Sequence, residues 1–202
     1  MPEPQSIIGL FLDTVNKLGP KTALRRKDLG LWKDISWREY ADRVRLVAYG
    51  LMSLGLEKGQ TAAICGENSP EWVFADLGIM SAGGVTAGIY TTNAAAQCEY
   101  VVQNSEARFY FAENEEQLDK VLAFRENTPL LKKIIVWDLE GLHAFRDPMV
   151  LSFDGLLELG KEYARKRPGL LEERSGSLGP EDLAVLIYTS GTTGPPKGAM
   201  LT

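Results

Sequence analysis

The chain has 202 residues, of which 45% are hydrophobic and 24% are charged, and its net charge is −5 at pH 7. This apolar content excludes an intrinsically disordered chain and predicts at least one sizeable hydrophobic core. The acidic balance argues against a nucleic-acid partner, because nucleic-acid-binding domains usually carry a basic surface.

The N-terminal part of the chain predicts a hairpin followed by a helix. Residues 22–35 form two strand-like segments around a turn, in which Gly30 would take the left-handed conformation. Ser36 and Glu39 then have the spacing of a capping box, and apolar residues recur at intervals near 3.6 until Gly55. A long amphipathic helix is therefore expected between the cap and this glycine.

Beyond this helix, strands and helices alternate along the chain. Short segments rich in apolar, β-branched or aromatic residues predict strands at residues 61–65, 85–90, 107–112, 133–137 and 183–188. Polar caps followed by helical periodicity predict four helices, which start at Ser69, Asn93, Asn114 and Ser152. Residues 138–150 and 168–180 are expected to be connections. This alternation predicts an α/β fold, with a mostly parallel sheet and helices on both faces.

The last predicted strand runs directly into a segment with the composition of a phosphate-binding loop. Glycines let successive backbone N–H groups converge on an anion, hydroxyls donate further hydrogen bonds, and a lysine supplies positive charge. In open α/β sheets, ligands bind beyond the carboxyl ends of the strands, which is where this segment falls. The candidate phosphate-binding residues are Thr189, Ser190, Gly191, Thr192, Thr193, Gly194 and Lys197. We call residues 189–197 the phosphate loop.

Two other interpretations of the phosphate loop are less favoured. A Walker A loop requires Gly-Lys-Ser/Thr at a fixed spacing after its first glycine, and Gly191 is followed at that spacing by Pro196 and Lys197. An ordinary surface turn is the usual meaning of a Gly, Ser, Thr and Pro cluster. The ordered string directly after a buried strand favours a phosphate site instead.

The segment from Tyr188 to Gly198 resembles the phosphate-binding signature of the adenylate-forming enzymes, which include acyl-CoA synthetases, luciferases and peptide-synthetase adenylation domains. Residues 34–40, 65–72 and 88–93 are similar to the long-chain fatty acyl-CoA synthetase branch. This resemblance implies that a fatty carboxylate attacks ATP to give acyl-AMP, after which coenzyme A accepts the acyl group. It also implies that the phosphate loop holds the β- and γ-phosphates, which Mg²⁺ would bridge.

The same resemblance implies that residues 1–202 are the N-terminal part of a large AMP-binding domain. The catalytic residues, the Mg²⁺ ligand and a small C-terminal domain are then expected beyond Thr202, and the chain alone is expected to be inactive. Expected partners are small molecules: ATP, fatty acid and coenzyme A. Four alternatives stay open, namely an aryl-CoA ligase, a peptide-synthetase adenylation domain, a nucleotide-binding module without catalysis and a truncated gene product. The oligomeric state stays open as well.

The remaining features point to a cytoplasmic protein without a second catalytic centre. Cys65 and Cys98 are too few for a disulfide framework and indicate a reducing compartment. No apolar run reaches the roughly 18 residues of a membrane span, so membrane contact would be peripheral, at the inner face. His143 has no neighbours suited to a hydrolase triad or a zinc site. The basic clusters at residues 25–27 and 161–167 are interpreted as solvated faces.

Overall fold

The computed structural model describes residues 6–189 and 195–202 and has an α/β fold in that part of the chain. A seven-stranded sheet forms the centre, and a separate two-stranded hairpin lies near the N-terminus. The helices are Ile7–Leu18 (α1), Trp37–Ser53 (α2), Pro70–Ser81 (α3), Ala95–Asn104 (α4), Glu115–Phe124 (α5), Phe153–Lys166 (α6) and Leu170–Gly176 (α7). The strands are Thr22–Asp28 (β1), Leu31–Ser36 (β2), Thr61–Cys65 (β3), Val85–Ile89 (β4), Phe109–Ala112 (β5), Lys133–Val136 (β6), Val150–Ser152 (β7), Val185–Thr189 (β8) and Lys197–Leu201 (β9).

The large sheet has the order β7-β6-β5-β3-β4-β8-β9. All of its neighbouring strands are parallel except β8 and β9, which are antiparallel. The chain leaves β3 for β4 on one side and then crosses back to β5 on the other side, so the direction of winding reverses at β3. The carboxyl ends of the parallel strands share one edge, and ligands of such sheets bind where the winding reverses.

Two hydrophobic cores, one on each face of the sheet, confirm the predicted layers. In β3, Ala62 and Ile64 belong to the core under α2, α3 and α6, whereas Ala63 and Cys65 belong to the core under α4 and α5. All five residues of β3 are buried. Burial on both faces explains why the strand is a continuous apolar run without alternation.

The turn glycines and the capping box that the sequence predicts are present in the structure. Gly30 has φ +84° in the β1–β2 turn, and Gly55 has the same φ after α2. The Ser36 hydroxyl accepts a hydrogen bond from the backbone N–H of Glu39 at 3.2 Å, and the Glu39 carboxylate accepts one from the Ser36 N–H at 2.8 Å. The capping box therefore starts α2 as predicted.

The structure corrects one predicted cap. Helix α4 has Ala94 at its N-cap, not Asn93, and the Gln97 side chain accepts a hydrogen bond from the Ala94 N–H at 2.9 Å. The glutamine in the first turn therefore satisfies the N–H of the N-cap residue itself, whereas an asparagine cap would have accepted from an N–H of the first turn. The Asn93 carbonyl instead faces the thiol of Cys98 at 3.8 Å.

Four described elements, namely α1, β7, α7 and β9, lie in segments for which no helix or strand was predicted. Helix α1 buries Ile8 and Phe11, and the Phe11 ring meets the Tyr40 ring edge-on at a centroid distance of 5.1 Å. Helix α7 lies within the second expected connection, and β7 starts at the last residue of the first. Strand β7 has only three residues and depends on pairing with β6, so its own sequence carries no period that identifies it.

Candidate functional site

The phosphate loop joins two neighbouring antiparallel strands at the carboxyl end of β8. Thr189 lies directly opposite Lys197 in the register of β8 and β9. The structure therefore brings together the first and last candidate residues, at the sheet edge where ligands of this architecture bind. The other candidates, Ser190, Gly191, Thr192, Thr193 and Gly194, lie outside the described residues.

Helix α4 holds both ends of the phosphate loop. The Tyr100 hydroxyl donates a hydrogen bond to the Pro196 carbonyl at 2.9 Å, and the Tyr188 hydroxyl donates one to Asn104 Oδ1 at 2.8 Å. Burial, and then the neighbouring Tyr100, raise the pKa of the Tyr188 phenol, so it stays a neutral donor. Gly198 is packed against the Tyr188 ring, since a Cβ there would lie 3.1 Å from Tyr188 Cζ.

These supporting contacts were not predicted from the sequence. Tyr100 and Pro196 are separated by 96 positions. No local pattern relates two residues so far apart. Only the placement of α4 beside β8 shows that the tyrosine positions the loop.

A cavity of 360 Å³ adjoins the base of the phosphate loop, between β4, α4 and β8. Three tyrosine rings, two side-chain amides and a glycine without a side chain give it mixed apolar and polar walls. A Cβ at Gly88 would meet no atom within 4 Å, so this glycine keeps the cavity open. The lining consists of Gly88, Tyr90, Asn93, Ala96, Gln97, Tyr100, Val101, Tyr188 and Pro196.

A polar network links the loops that follow β3, β4 and β5 at the same edge. The Glu113 carboxylate accepts a hydrogen bond from the Glu67 N–H at 2.7 Å. The Thr91 hydroxyl donates to the Glu67 carboxylate at 2.5 Å, and the Lys120 ammonium donates to the Thr91 carbonyl at 2.6 Å. The rim of the candidate site is therefore cross-linked before any ligand binds. No local sequence pattern indicates this network, because its members come from separate loops.

The two cysteines lie beneath this rim and are fully buried. The Cys65 thiol donates a hydrogen bond to Gln117 Oε1 at 3.2 Å. Contact with Cys98 and burial raise the pKa of Cys65, whereas contact with Cys65 lowers the pKa of Cys98 to about 7. Because neither sulfur reaches the surface, the pair has a packing role.

The described residues can be compared with what a metal ion or phosphate oxygens require. No group of three or more His, Cys, Asp or Glu side chains among them is arranged to hold a cation. Thr189 and Lys197 supply a hydroxyl and an ammonium group, which suit phosphate oxygens. None of the helices in residues 6–189 and 195–202 is long and apolar enough to cross a membrane.

Comparison with known sequences places this chain in a family. The sequence profile of the AMP-binding enzymes matches residues 11–202. The chain is 41% identical over 198 residues to the long-chain-fatty-acid–CoA ligase ACSBG2 of Xenopus laevis, a match that covers 98% of this chain and 26% of the relative. It is 33% identical to the human ligase ACSBG1, with 98% and 27% covered. The chain thus spans about a quarter of the length of the curated relatives it matches.

Solved structures show the same fold. The anthranilate CoA ligase AuaEII, crystallised with anthranoyl-AMP, superimposes with a TM-score of 0.80 at 26% identity, over 99% of this chain and 35% of that protein. The A-PCP didomain of the carboxylic acid reductase from Segniliparus rugosus, solved with AMP, has a TM-score of 0.82 at 21% identity, over 99% and 32%. The seven-stranded sheet with its flanking helices is therefore the architecture of these enzymes.

Proposed function

Because this chain belongs to the AMP-binding enzyme family, we propose that its phosphate loop binds ATP in a long-chain fatty acid–CoA ligase. One observation carries the proposal: Thr189 and Lys197 lie opposite each other at the carboxyl edge of the sheet. The fatty-acid branch is supported by the relatives named above, which are long-chain-fatty-acid–CoA ligases at 33–41% identity. Residues 1–202 would form the N-terminal part of the AMP-binding domain.

The proposed reaction has two steps. A fatty carboxylate attacks the α-phosphate of ATP and releases pyrophosphate, and coenzyme A thiolate then displaces AMP from the acyl adenylate. Lys197 and the hydroxyls of Thr189, Ser190, Thr192 and Thr193 would hold the β- and γ-phosphates. They would stabilise the negative charge that develops on the leaving pyrophosphate. Mg²⁺ would supply further positive charge to the phosphates, and no residue of this chain is assigned as its ligand.

Helix α4 contributes to this function by positioning the loop. The hydrogen bonds from Tyr100 to Pro196 and from Tyr188 to Asn104 fix the loop ends before ATP arrives. Donors that are already in place need no reorganisation when charge develops, which is the main source of electrostatic stabilisation in enzymes. Gly191 and Gly194 would let the intervening backbone approach the phosphates.

Replacing Lys197 tests the proposal. The variant Lys197→Ala should lower kcat/KM for ATP by roughly 10- to 150-fold, because a charge-assisted hydrogen bond contributes about 1.5–3 kcal/mol. Thr192→Val should lower it less, about 5-fold, since it removes one neutral donor. Fatty-acid-dependent pyrophosphate exchange measures the effect in a complete ligase, in which this chain replaces the matching part of the Xenopus laevis relative.

Lys161→Ala is the matched control, because Lys161 is a surface lysine on α6 whose ion-pair partner among the described residues is Glu158. It should leave the ATP kinetics unchanged. Calorimetric binding of pyrophosphate to the 202-residue chain gives a second readout that does not need turnover. Normal ATP kinetics and normal pyrophosphate binding in Lys197→Ala would overturn the proposal. Faster exchange with anthranilate than with long-chain fatty acids would overturn the fatty-acid branch alone.

A further inference from the structure

The tip of the β1–β2 hairpin exposes three large apolar side chains. Leu29 is 98% exposed, Leu31 is 70% exposed and Trp32 is 64% exposed. We call residues 29–32 the hairpin tip. Single exposed apolar residues are common on proteins, but three within four positions form a patch that the described part of the chain leaves uncovered.

The conformation of Leu29 is also costly. It has φ +46°, in the left-handed region that glycine, asparagine and aspartate tolerate and that leucine rarely adopts. A glycine or asparagine at this turn position would avoid the backbone strain, and a polar residue would make the turn more soluble. Strain that neither folding nor solubility explains points to a role outside the chain.

The hairpin presents this tip rigidly. Its two strands pair from Thr22 and Ser36 to Asp28 and Leu31, and its base packs on the core through Leu24 and Ile35. Ion pairs stabilise the pairing of the two strands and the contact of the hairpin with α3. These pairs join Arg25 to Asp34 at 2.6 Å, Lys33 to Asp28 at 2.5 Å and Arg26 to Glu71 at 2.9 Å.

One cation of the hairpin is left without a carboxylate. Among residues 6–189 and 195–202, Lys27 forms no ion pair, and its ammonium lies 6.0 Å from the centroid of the Trp32 ring. The positive charge that is not neutralised within the hairpin therefore sits beside the exposed indole. One cation, one tryptophan and two leucines therefore lie close together at the turn of the hairpin. The net charge of the whole chain is −5.

We propose that the hairpin tip inserts into the headgroup region of an anionic lipid bilayer. Tryptophan favours the boundary between water and acyl chains, and leucine gains from leaving water for that boundary. The Lys27 ammonium would meet lipid phosphates while its methylene stem stays on the apolar side. A protein partner fits less well, because a stable protein interface covers roughly 800 Å² per partner, more than a four-residue tip offers.

Flotation of the 202-residue chain with vesicles tests this binding. The chain should float with vesicles of equal parts phosphatidylcholine and phosphatidylserine. The double variant Leu29→Ser/Trp32→Ser should lower the partition coefficient by at least about 10-fold, because it removes the apolar area that enters the bilayer. Lys27→Gln should lower it about 5-fold on these vesicles and leave binding to pure phosphatidylcholine unchanged.

Two matched controls separate the tip from other surfaces. Leu130→Ser removes another exposed leucine, outside the hairpin, and should float like the parent chain. Lys197→Ala should do the same, because lipid binding by the tip needs neither ATP nor the phosphate loop. Unfolding in urea should have the same midpoint for the parent chain and the tip variants, since the replaced side chains are exposed.

Three results would contradict lipid binding by the hairpin tip. Failure of the parent chain to float with anionic vesicles, or flotation that the double variant retains in full, would overturn the proposal. If the double variant instead changes the mass of the chain in solution without vesicles, the tip is an interface between copies and the lipid proposal is wrong. None of these results bears on the ATP kinetics of Lys197→Ala, which test the proposed function separately.

Discussion

At the scale of single residues, Asp76 is a carboxyl group held in an unfavourable place. It lies on α3, and its Oδ1 is buried without a hydrogen-bond partner in the described part of the chain. Burial raises the pKa of Asp76 to about 6, and the neighbouring Thr86 hydroxyl offsets part of this effect. Burial, and then the Asp76 charge, also raise the pKa of the Tyr40 phenol. The folded protein therefore binds the Asp76 proton more tightly than the unfolded chain does, whose pKa is about 3.9.

This difference predicts a gain in stability when the charge is removed. A carboxyl with a raised pKa costs stability where it is ionised, and the cost falls as the pH drops through the folded-state pKa. Asp76→Asn should raise the free energy of unfolding by about 1–3 kcal/mol near pH 7.5, and about half of that gain should be lost near pH 5. Urea unfolding at the two pH values measures both quantities.

Asp42→Asn, on the exposed side of α2, controls for the loss of a surface carboxylate. A gain from Asp76→Asn that is the same at both pH values would show that packing, not ionisation, limits stability at this position.

At the scale of elements, the contact between α2 and α6 depends on glycine. A Cβ at Gly160 would lie 2.0 Å from the Leu46 carbonyl oxygen, and one at Gly50 would lie 2.5 Å from that of Leu156. Backbone atoms of the two helices therefore approach each other without intervening side chains. Such close approach is possible only where neither helix carries a Cβ.

Gly160→Ala should therefore destabilise the fold although alanine favours helices. The added methyl must separate two packed helices, which costs about 1–3 kcal/mol or more, against a propensity gain of about 1 kcal/mol. Gly176→Ala, at the end of α7, is the matched control, because a Cβ there would meet no atom within 4 Å. It should leave stability equal or slightly higher. Denaturant midpoints with the same sign of change for both variants would contradict this account of the helix contact.

At the scale of the whole molecule, the large sheet ends at β9 with an apolar border. Met200 is 69% exposed and Leu201 is 46% exposed, and β9 pairs with β8 alone among the described strands. An edge strand has unpaired backbone donors and acceptors and can pair with another copy. Apolar side chains on that strand strengthen such association.

The 202-residue chain should therefore associate as its concentration rises, and Met200→Lys should suppress this association. A lysine on an edge strand must stay solvated, which opposes strand pairing between copies. Light scattering over a concentration series measures the effect. Leu139→Lys, at an exposed position outside the sheet, should leave association unchanged. Equal suppression by both variants would mean that added charge alone, and not the edge, governs association.

The sequence by itself determined the features that depend on neighbours within a few residues. The capping box of Ser36 and Glu39, the left-handed turn at Gly30 and the end of α2 before Gly55 were all predicted correctly. Each is a hydrogen bond or a backbone dihedral that is set locally, so composition and spacing are enough to identify it. The alternation of strands and helices gave the fold class for the same reason, because each element shows its own period.

Tertiary structure decided which of these elements meet. The order of the strands, the opposition of Thr189 and Lys197, and the hydrogen bond from Tyr100 to the end of the phosphate loop all join residues without a common local pattern. The close approach of α6 to α2 at Gly160 is of the same kind, because a glycine inside a helix looks unfavourable until its neighbour is known. A candidate site that lies in one continuous loop could therefore be proposed from the sequence, whereas the contacts at the ends of that loop depend on the packing of the folded chain.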